Sequence, residues 1–164
     1  MIRLPVLSAG FGEGHNAAAR AIVEALGRVS GGQVEAQVHD LFLTAYGADR
    51  ARRQRDAYIG VANRHPRLWG MLYAGLDRLP LVGASLPFVR PVQRALNQLL
   101  DETRPPVVVS AYPLYNYMMA RRWRRNDPAR PRLITVVTDS VSVNRAWHRA
   151  HSDWYVTPNQ ATAE

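Results

Sequence analysis

An open, doubly wound α/β sheet, Rossmann-like and mostly parallel, is the architecture this sequence predicts, and three observations predict it. Short apolar runs alternate along the chain with stretches of helical periodicity. The first strand passes into the first helix through a turn with glycine at positions 10, 12 and 14. Polar or ionisable residues (His15, Asp40, Tyr112, Asp139) fall just after strands, at the edge where sheets of this kind bind ligands.

The elements follow in order. Residues 3–8 form a short buried run and the first strand, which ends at the glycines. Residues 16–29 place Ala18, Ile22, Ala25, Leu26 and Val29 on one helical face, and Ser30-Gly31-Gly32 stops that helix. Residues 34–40 alternate apolar and polar as a second strand, which completes a βαβ unit. The arginine-rich stretch 48–63 carries Tyr58, Ile59 and Ala62 on a possible inner face. Pro66 suits the first turn of a helix in which Trp69, Leu72, Tyr73 and Leu76 recur at helical spacing. Residues 79–89 read as an apolar loop between two arginines.

Pro91 opens a helix whose Val92, Leu96, Leu99 and Leu100 face inward, ending near Pro105-Pro106. Val107-Val108-Val109-Ser110 is a continuous β-branched strand, turned by Ala111-Tyr112-Pro113. A helix over 115–125 ends in Arg121, Arg122, Arg124 and Arg125, cations that complement a helix C-terminus. Residues 133–138 form the clearest strand and lead to Asp139. A last short strand covers 154–157, and a helix begins after Pro158 without finishing.

Composition narrows the function classes. A chain of 164 residues, 47% hydrophobic, fits one globular domain with a real core. The absence of cysteine excludes disulfides and thiolate metal sites and suits a cytosolic protein. His148 and His151 share a helical spacing, but no third ligand accompanies them, so no metal site is expected. The net charge is +8 and every basic residue is arginine, which favours polyanionic surfaces. No signal-peptide pattern follows Met1, and the uncharged run 79–89 falls short of the ~20 residues of a membrane-spanning helix. A soluble or peripheral protein is expected.

With these residues placed, the chain resembles the N-terminal domain of the diacylglycerol glycosyltransferases. These include monogalactosyldiacylglycerol synthase and the bacterial processive diacylglycerol glucosyltransferases. The resemblance rests first on Ser8-Ala9-Gly10-Phe11-Gly12-Glu13-Gly14-His15-Asn16-Ala17-Ala18-Ala19-Arg20-Ala21-Ile22. Val108-Val109-Ser110-Ala111-Tyr112-Pro113-Leu114-Tyr115-Asn116 supports it, as does Val136-Val137-Thr138-Asp139 with Trp147 and Asp153-Trp154-Tyr155-Val156. Two positions depart from the family pattern, Tyr112 and Asn144, where histidine is frequent. The resemblance implies a GT-B enzyme with two α/β domains, the second of which holds the nucleotide sugar. Residues 1–164 then correspond to the acceptor- and membrane-binding domain, with nothing here matching the donor domain, as though cut at the interdomain connection. It further implies hexose transfer from a nucleotide sugar, UDP-hexose as co-substrate, to a diacylglycerol-type lipid. The resemblance also implies that no separate cofactor is involved and that the setting is the cytoplasmic face of an anionic membrane.

Glycosyl transfer to an alcohol needs a base for the hydroxyl proton, and a neutral histidine suits that task. His15, near a helix N-terminus, has its cationic form disfavoured by the dipole; capping the turn is its structural alternative. Asp139 is placed to orient His15 or to hold an acceptor hydroxyl, unless it only forms a turn. Backbone N–H groups around Gly12 and Gly14 suit a phosphate, and Asn16, Tyr112 and Pro113 complete the expected substrate contacts. Trp147 can stack on acceptor or sugar, or simply pack. Trp69, Tyr73, Leu81, Leu86 and Phe88, flanked by Arg78 and Arg90, fit a membrane-interface element, with ordinary core as the alternative.

Two other classes compete. The positive charge also suits a basic nucleic-acid-binding or other non-enzymatic α/β module, but aromatics are not interleaved with arginines and no recognition motif is present. A nucleotide-binding oxidoreductase would carry Gly-x-Gly-x-x-Gly, whereas the glycines here fall at every second position. Nucleic acid is therefore not an expected partner.

Overall fold

The computed structural model describes residues 1–11, 13–65, 67, 70–71, 75, 81–139 and 143–160, with residue 81 described by its backbone alone. Five strands, β1 (Ile2–Ser8), β2 (Val34–Asp40), β3 (Val107–Ser110), β4 (Arg132–Val136) and β5 (Trp154–Val156), form one sheet in the order β2-β1-β3-β4-β5. Every adjacent pair is parallel; Val6 registers with Val38 on one side and with Val109 on the other. The chain steps from β1 outward to β2 and then returns to the opposite side of β1 for β3. That reversal opens a crevice at the C-terminal ends of β1 and β3.

Strand pleating divides the core between the two sheet faces. Leu7 points into a cluster with Leu41, Phe42, Leu96, Leu100, Val108, Tyr115 and Leu133. Its neighbour Val6 points the other way, to Ala19, Val109 and Ala111 with Ile22 and Val23 packed alongside. Helices thus cover both faces, as the continuous apolar strands require, and the doubly wound expectation holds.

Helix α1 (Glu13–Val29) begins three residues earlier than expected, and its buried face centres on Ala19 rather than on Ala25 and Val29. Val29 is 79% exposed. The last turn of α1 is exposed apart from Leu26, so the packed face ends before the helix does. The chain then reverses through Gly31 (φ 55°) and Gly32 (φ 82°), where a left-handed backbone favours glycine. Asp40 caps α2 (Leu41–Tyr46), its carboxylate accepting from the N–H groups of Phe42 (3.0 Å) and Leu43 (3.1 Å). Its expected position at a strand tip is correct, but it serves there as an N-cap. Helix α3 (Ala48–Arg64) buries no residue completely; its expected inner face keeps Tyr58 and Ile59 partly exposed.

The expected apolar loop is instead helical: α4 (Leu81–Ser85) runs into a 3₁₀ turn over Leu86–Val89. Pro87 sits at the start of that turn, where its missing N–H has no partner to lose. Helix α5 (Arg90–Thr103) buries Val92, Leu96 and Leu100, with Leu99 half-buried, as its spacing predicts. It ends at Arg104 in the left-handed conformation (φ 41°). Helix α6 (Leu114–Arg122) stops before Arg124 and Arg125, because Trp123 turns extended. A one-turn helix, α7 (Ala146–Arg149), carries His148 but ends before His151, so the two do not share a helical face. Strand β4 is shorter than expected, which leaves Thr138 in the loop beyond it. The expected helix after Pro66 and the one beginning after Pro158 fall largely outside the described residues. Among the described residues no helix is long and apolar enough to cross a membrane.

Candidate active site

The crevice holds a cavity of about 410 Å³, within the usual size of small-molecule sites. Three of the four strand-tip residues converge on it: His15 from the first turn of α1, Tyr112 after β3 and Asp139 after β4. Asp40 lines a second cavity, also of about 410 Å³, with Asn16, Arg52 and Arg55. Phe11 and Phe42 border both.

His15 is the third residue of α1, half-buried at the cavity wall. Its Nδ1 lies 2.9 Å from the hydroxyl Oγ1 of Thr138. The ring meets Tyr112 edge-on at 5.1 Å between centroids, and Trp147 lies 6.0 Å away. Burial lowers its pKa below the ordinary histidine value, while a hydrogen bond to the Ala111 backbone and the charge of Asp139 pull in the opposite direction. The imidazole is accordingly neutral at pH 7, with a ring nitrogen able to take a proton. The helix N-terminus adds to this preference.

Trp147 is buried, and its indole Nε1 donates to Asp139 Oδ2 at 2.9 Å. The tryptophan thus packs and also fixes the carboxylate whose charge reaches His15. Asn144, at a position where the resembled family often has histidine, is buried, lines the cavity and accepts from the Ala146 N–H through Oδ1 (2.9 Å). Pro113 lines the cavity at the start of α6. Asn16 faces the neighbouring cavity instead, and its Oδ1 accepts from the Ser8 hydroxyl at 2.6 Å. Gly14 is helical and a Cβ there would meet open space, so no protein neighbour explains its missing side chain. Gly12 lies outside the described residues.

Sequence reasoning missed the aromatic wall. Phe11 packs against Phe42 edge-on (4.7 Å), stacks near Tyr112 (6.0 Å) and touches Tyr58 of α3 (5.5 Å). Burial and then the charge of Asp139 raise the Tyr58 pKa; burial and then Tyr58 raise that of Tyr112. Both phenols therefore stay protonated as possible donors. The signal that could have placed Tyr58 is its apolar company on α3, Ile59 and Ala62, in an otherwise charged helix. Thr138 could have been found from its position beside Asp139.

Of the expected membrane-facing residues, Trp69, Tyr73 and Arg78 lie outside the described residues, as does the Leu81 side chain. Leu86 is buried in the core, because the 3₁₀ turn directs it inward, so it does not face outward as expected. Phe88 is 83% exposed and Arg90 is exposed beside it. Val82, Ser85 and Val89 of the same segment line the cavity. Among the described residues no cluster of histidine, aspartate or glutamate is arranged to hold a metal.

Comparison with curated proteins and with solved structures gives no match. The family model for monogalactosyldiacylglycerol (MGDG) synthase matches residues 15–164, which take in His15, the β3 and β4 tips and the whole aromatic pocket apart from Phe11. On that match the chain belongs to the MGDG synthase family, glycosyltransferases that build glycolipid on diacylglycerol.

Proposed function

We propose that this chain is the acceptor-binding half of a two-domain, inverting hexosyltransferase, with His15 as its general base. The observation that carries the proposal is a half-buried imidazole, its pKa lowered by burial, on the wall of a largely apolar cavity. A diacylglycerol presents one hydroxyl on an apolar body, and the cavity offers the matching arrangement. The hydroxyl proton passes to a ring nitrogen of His15 as the oxygen attacks the anomeric carbon of the sugar. The bond from that carbon to the nucleotide phosphate breaks on the opposite face, and the nucleoside diphosphate leaves with the electron pair. Asp139, held by Trp147, stabilises the imidazolium that forms.

The donor, a UDP-hexose, is brought by a second α/β domain that closes over the strand tips, and no further cofactor takes part. The donor phosphates meet the backbone N–H groups at the start of α1, where Gly14 leaves open space. The rim formed by α4 and the 3₁₀ turn is peripheral to the cytoplasmic leaflet. Phe88 enters the acyl boundary and Arg90 meets anionic headgroups at roughly 1 kcal/mol per arginine. Lipid then reaches the cavity past Val82 and Val89 without leaving the bilayer.

The test uses anionic vesicles containing diacylglycerol. The 164-residue chain is expected to bind them and to produce no glycolipid from UDP-hexose; joined to a donor domain it is expected to turn over. Turnover by the chain alone would overturn the division of labour, and failure to bind diacylglycerol vesicles would overturn the acceptor role.

A further inference from the structure

A third cavity, of about 260 Å³, lies at the other edge of the sheet. Arg124, Arg125, Arg130 and His151 line it over Met119 and Trp123. Arg124 and Arg125 follow the end of helix α6, and Asp153, the residue before β5, bonds the lining Arg130.

The positive charge here exceeds what the local carboxylates neutralise. Asp153 is already bound by Arg130 (2.7 Å), by Arg132 (3.1 Å) and by the Leu133 N–H (2.7 Å). Asp127 accepts from the Ala129 N–H at 2.9 Å. Arg122 is paired with Asp101 and lies over the Trp123 ring at 4.3 Å. Arg124 and Arg125 are exposed, and among the described residues no carboxylate pairs with either. Two unneutralised guanidinium groups, a histidine and a concave floor with an aromatic wall make an arrangement suited to a tetrahedral oxyanion.

The geometry points to an oxyanion subsite at the end of α6, in which Arg124 and Arg125 bind a phosphoryl or sulfuryl group and His151 supplies a further donor. This inference does not depend on the acceptor reading of the first cavity. Burial, then the charges of Arg125 and Arg130, hold the His151 pKa below its ordinary value, while Asp153 pulls it up. Arg132, which bonds the same Asp153 oxygen as Arg130, adds to the positive field. A bound dianion opposes those cations and raises the histidine pKa. Binding therefore takes up a proton and tightens as the pH falls through the His151 range.

A soluble phosphate ester and an anionic lipid headgroup share this chemistry. The subsite sits at the N-terminal ends of the strands, whereas Phe88 belongs to the segment lining the cavity at their C-terminal ends, which favours the soluble source.

The experiment titrates the 164-residue chain with sulfate, whose charge is constant across this range, and with inorganic phosphate. Calorimetry and the His151 ring resonances follow binding. Saturable binding with a rise in the His151 pKa is expected, weakened at least tenfold in the doubly substituted Arg124→Ala/Arg125→Ala chain. Arg52→Ala/Arg55→Ala, an equal loss of charge elsewhere, is expected to bind as the parent does. An unshifted His15 resonance checks that each variant is folded. No saturable binding, equal loss in both double variants, or an unmoved His151 would overturn the subsite. If phosphatidic acid vesicles bind through Arg124 and Arg125 while phosphate and sulfate do not, the soluble ligand is overturned in favour of a membrane contact.

Discussion

Two ionisable centres at opposite edges of one sheet are withdrawn from water and treated in opposite ways. Asp153 is surrounded by donors: two arginines and a backbone N–H hold its two oxygens, and the Arg130 side chain that meets it is only 7% exposed. Burial alone would raise that carboxyl, but these hydrogen bonds and charges hold it well below the usual carboxylate range. His15 is desolvated with less compensation, a hydrogen bond to the Ala111 backbone, the Asp139 charge and the Thr138 hydroxyl at 2.9 Å, so burial prevails, and it opens on a cavity. The first arrangement neutralises a buried charge and ties β4 to β5. The second keeps a group neutral and ready to change charge, which is the condition expected of a reacting residue.

Substitutions at the two centres should therefore fail differently. The largest effect is expected from His15→Ala in an enzyme carrying both halves: kcat falls roughly 10²–10⁴-fold, with lipid KM and thermal stability nearly unchanged. A loss that lies mostly in KM would make His15 a binding residue. At the other centre, Asp153→Ala leaves a buried guanidinium unpaired and should cost about 3–5 kcal/mol in urea unfolding, with turnover per folded molecule preserved. Because the native carboxyl titrates below its unfolded value, the stabilisation it gives is present above the ordinary carboxylate range. It is lost as pH falls through the native value. A variant as stable as the parent would break the contrast from the structural side.

Smaller effects sharpen it. Phe88→Ser removes an exposed ring worth about 1.5–3 kcal/mol if lipid buries it, so vesicle partitioning should weaken roughly 10–100-fold without loss of fold. Unchanged partitioning would remove that residue from the membrane contact. The smallest effect is a shift of a pH profile. Asp139 raises the His15 pKa, so Asp139→Asn should move the acid limb of kcat/KM to lower pH. An acid limb that stays in place would mean that the carboxylate does not act on the imidazole.

Much of the scaffold was legible because its signals are local. The β-branched run at Val107–Ser110 and the spacing of Val92, Leu96 and Leu100 follow from strand and helix periods alone. The turn placing His15 was legible from glycine spacing, and Asp139 from its position after an apolar run. Contacts between distant segments were not legible. Phe11, Phe42 and Tyr58 meet across 47 residues of chain; the apolar company of Tyr58 marks an inner face of α3, but nothing local says which segments that face meets. Residues 79–89 read as an apolar loop between two arginines, yet Pro87 opens a 3₁₀ turn. Asp40 carried the same strand-tip signal as Asp139; only the N–H groups of Phe42 and Leu43 distinguish a cap from a site residue.

The central claim is that burial keeps the His15 ring neutral at the cavity wall, and the most direct measurement is its titration by NMR in the 164-residue chain. The ring resonances should report a pKa below the ordinary 6.5 in the parent chain, and a lower one still in Asp139→Asn. A His15 pKa at or above that value, or one indifferent to Asp139, would contradict its assignment as the base.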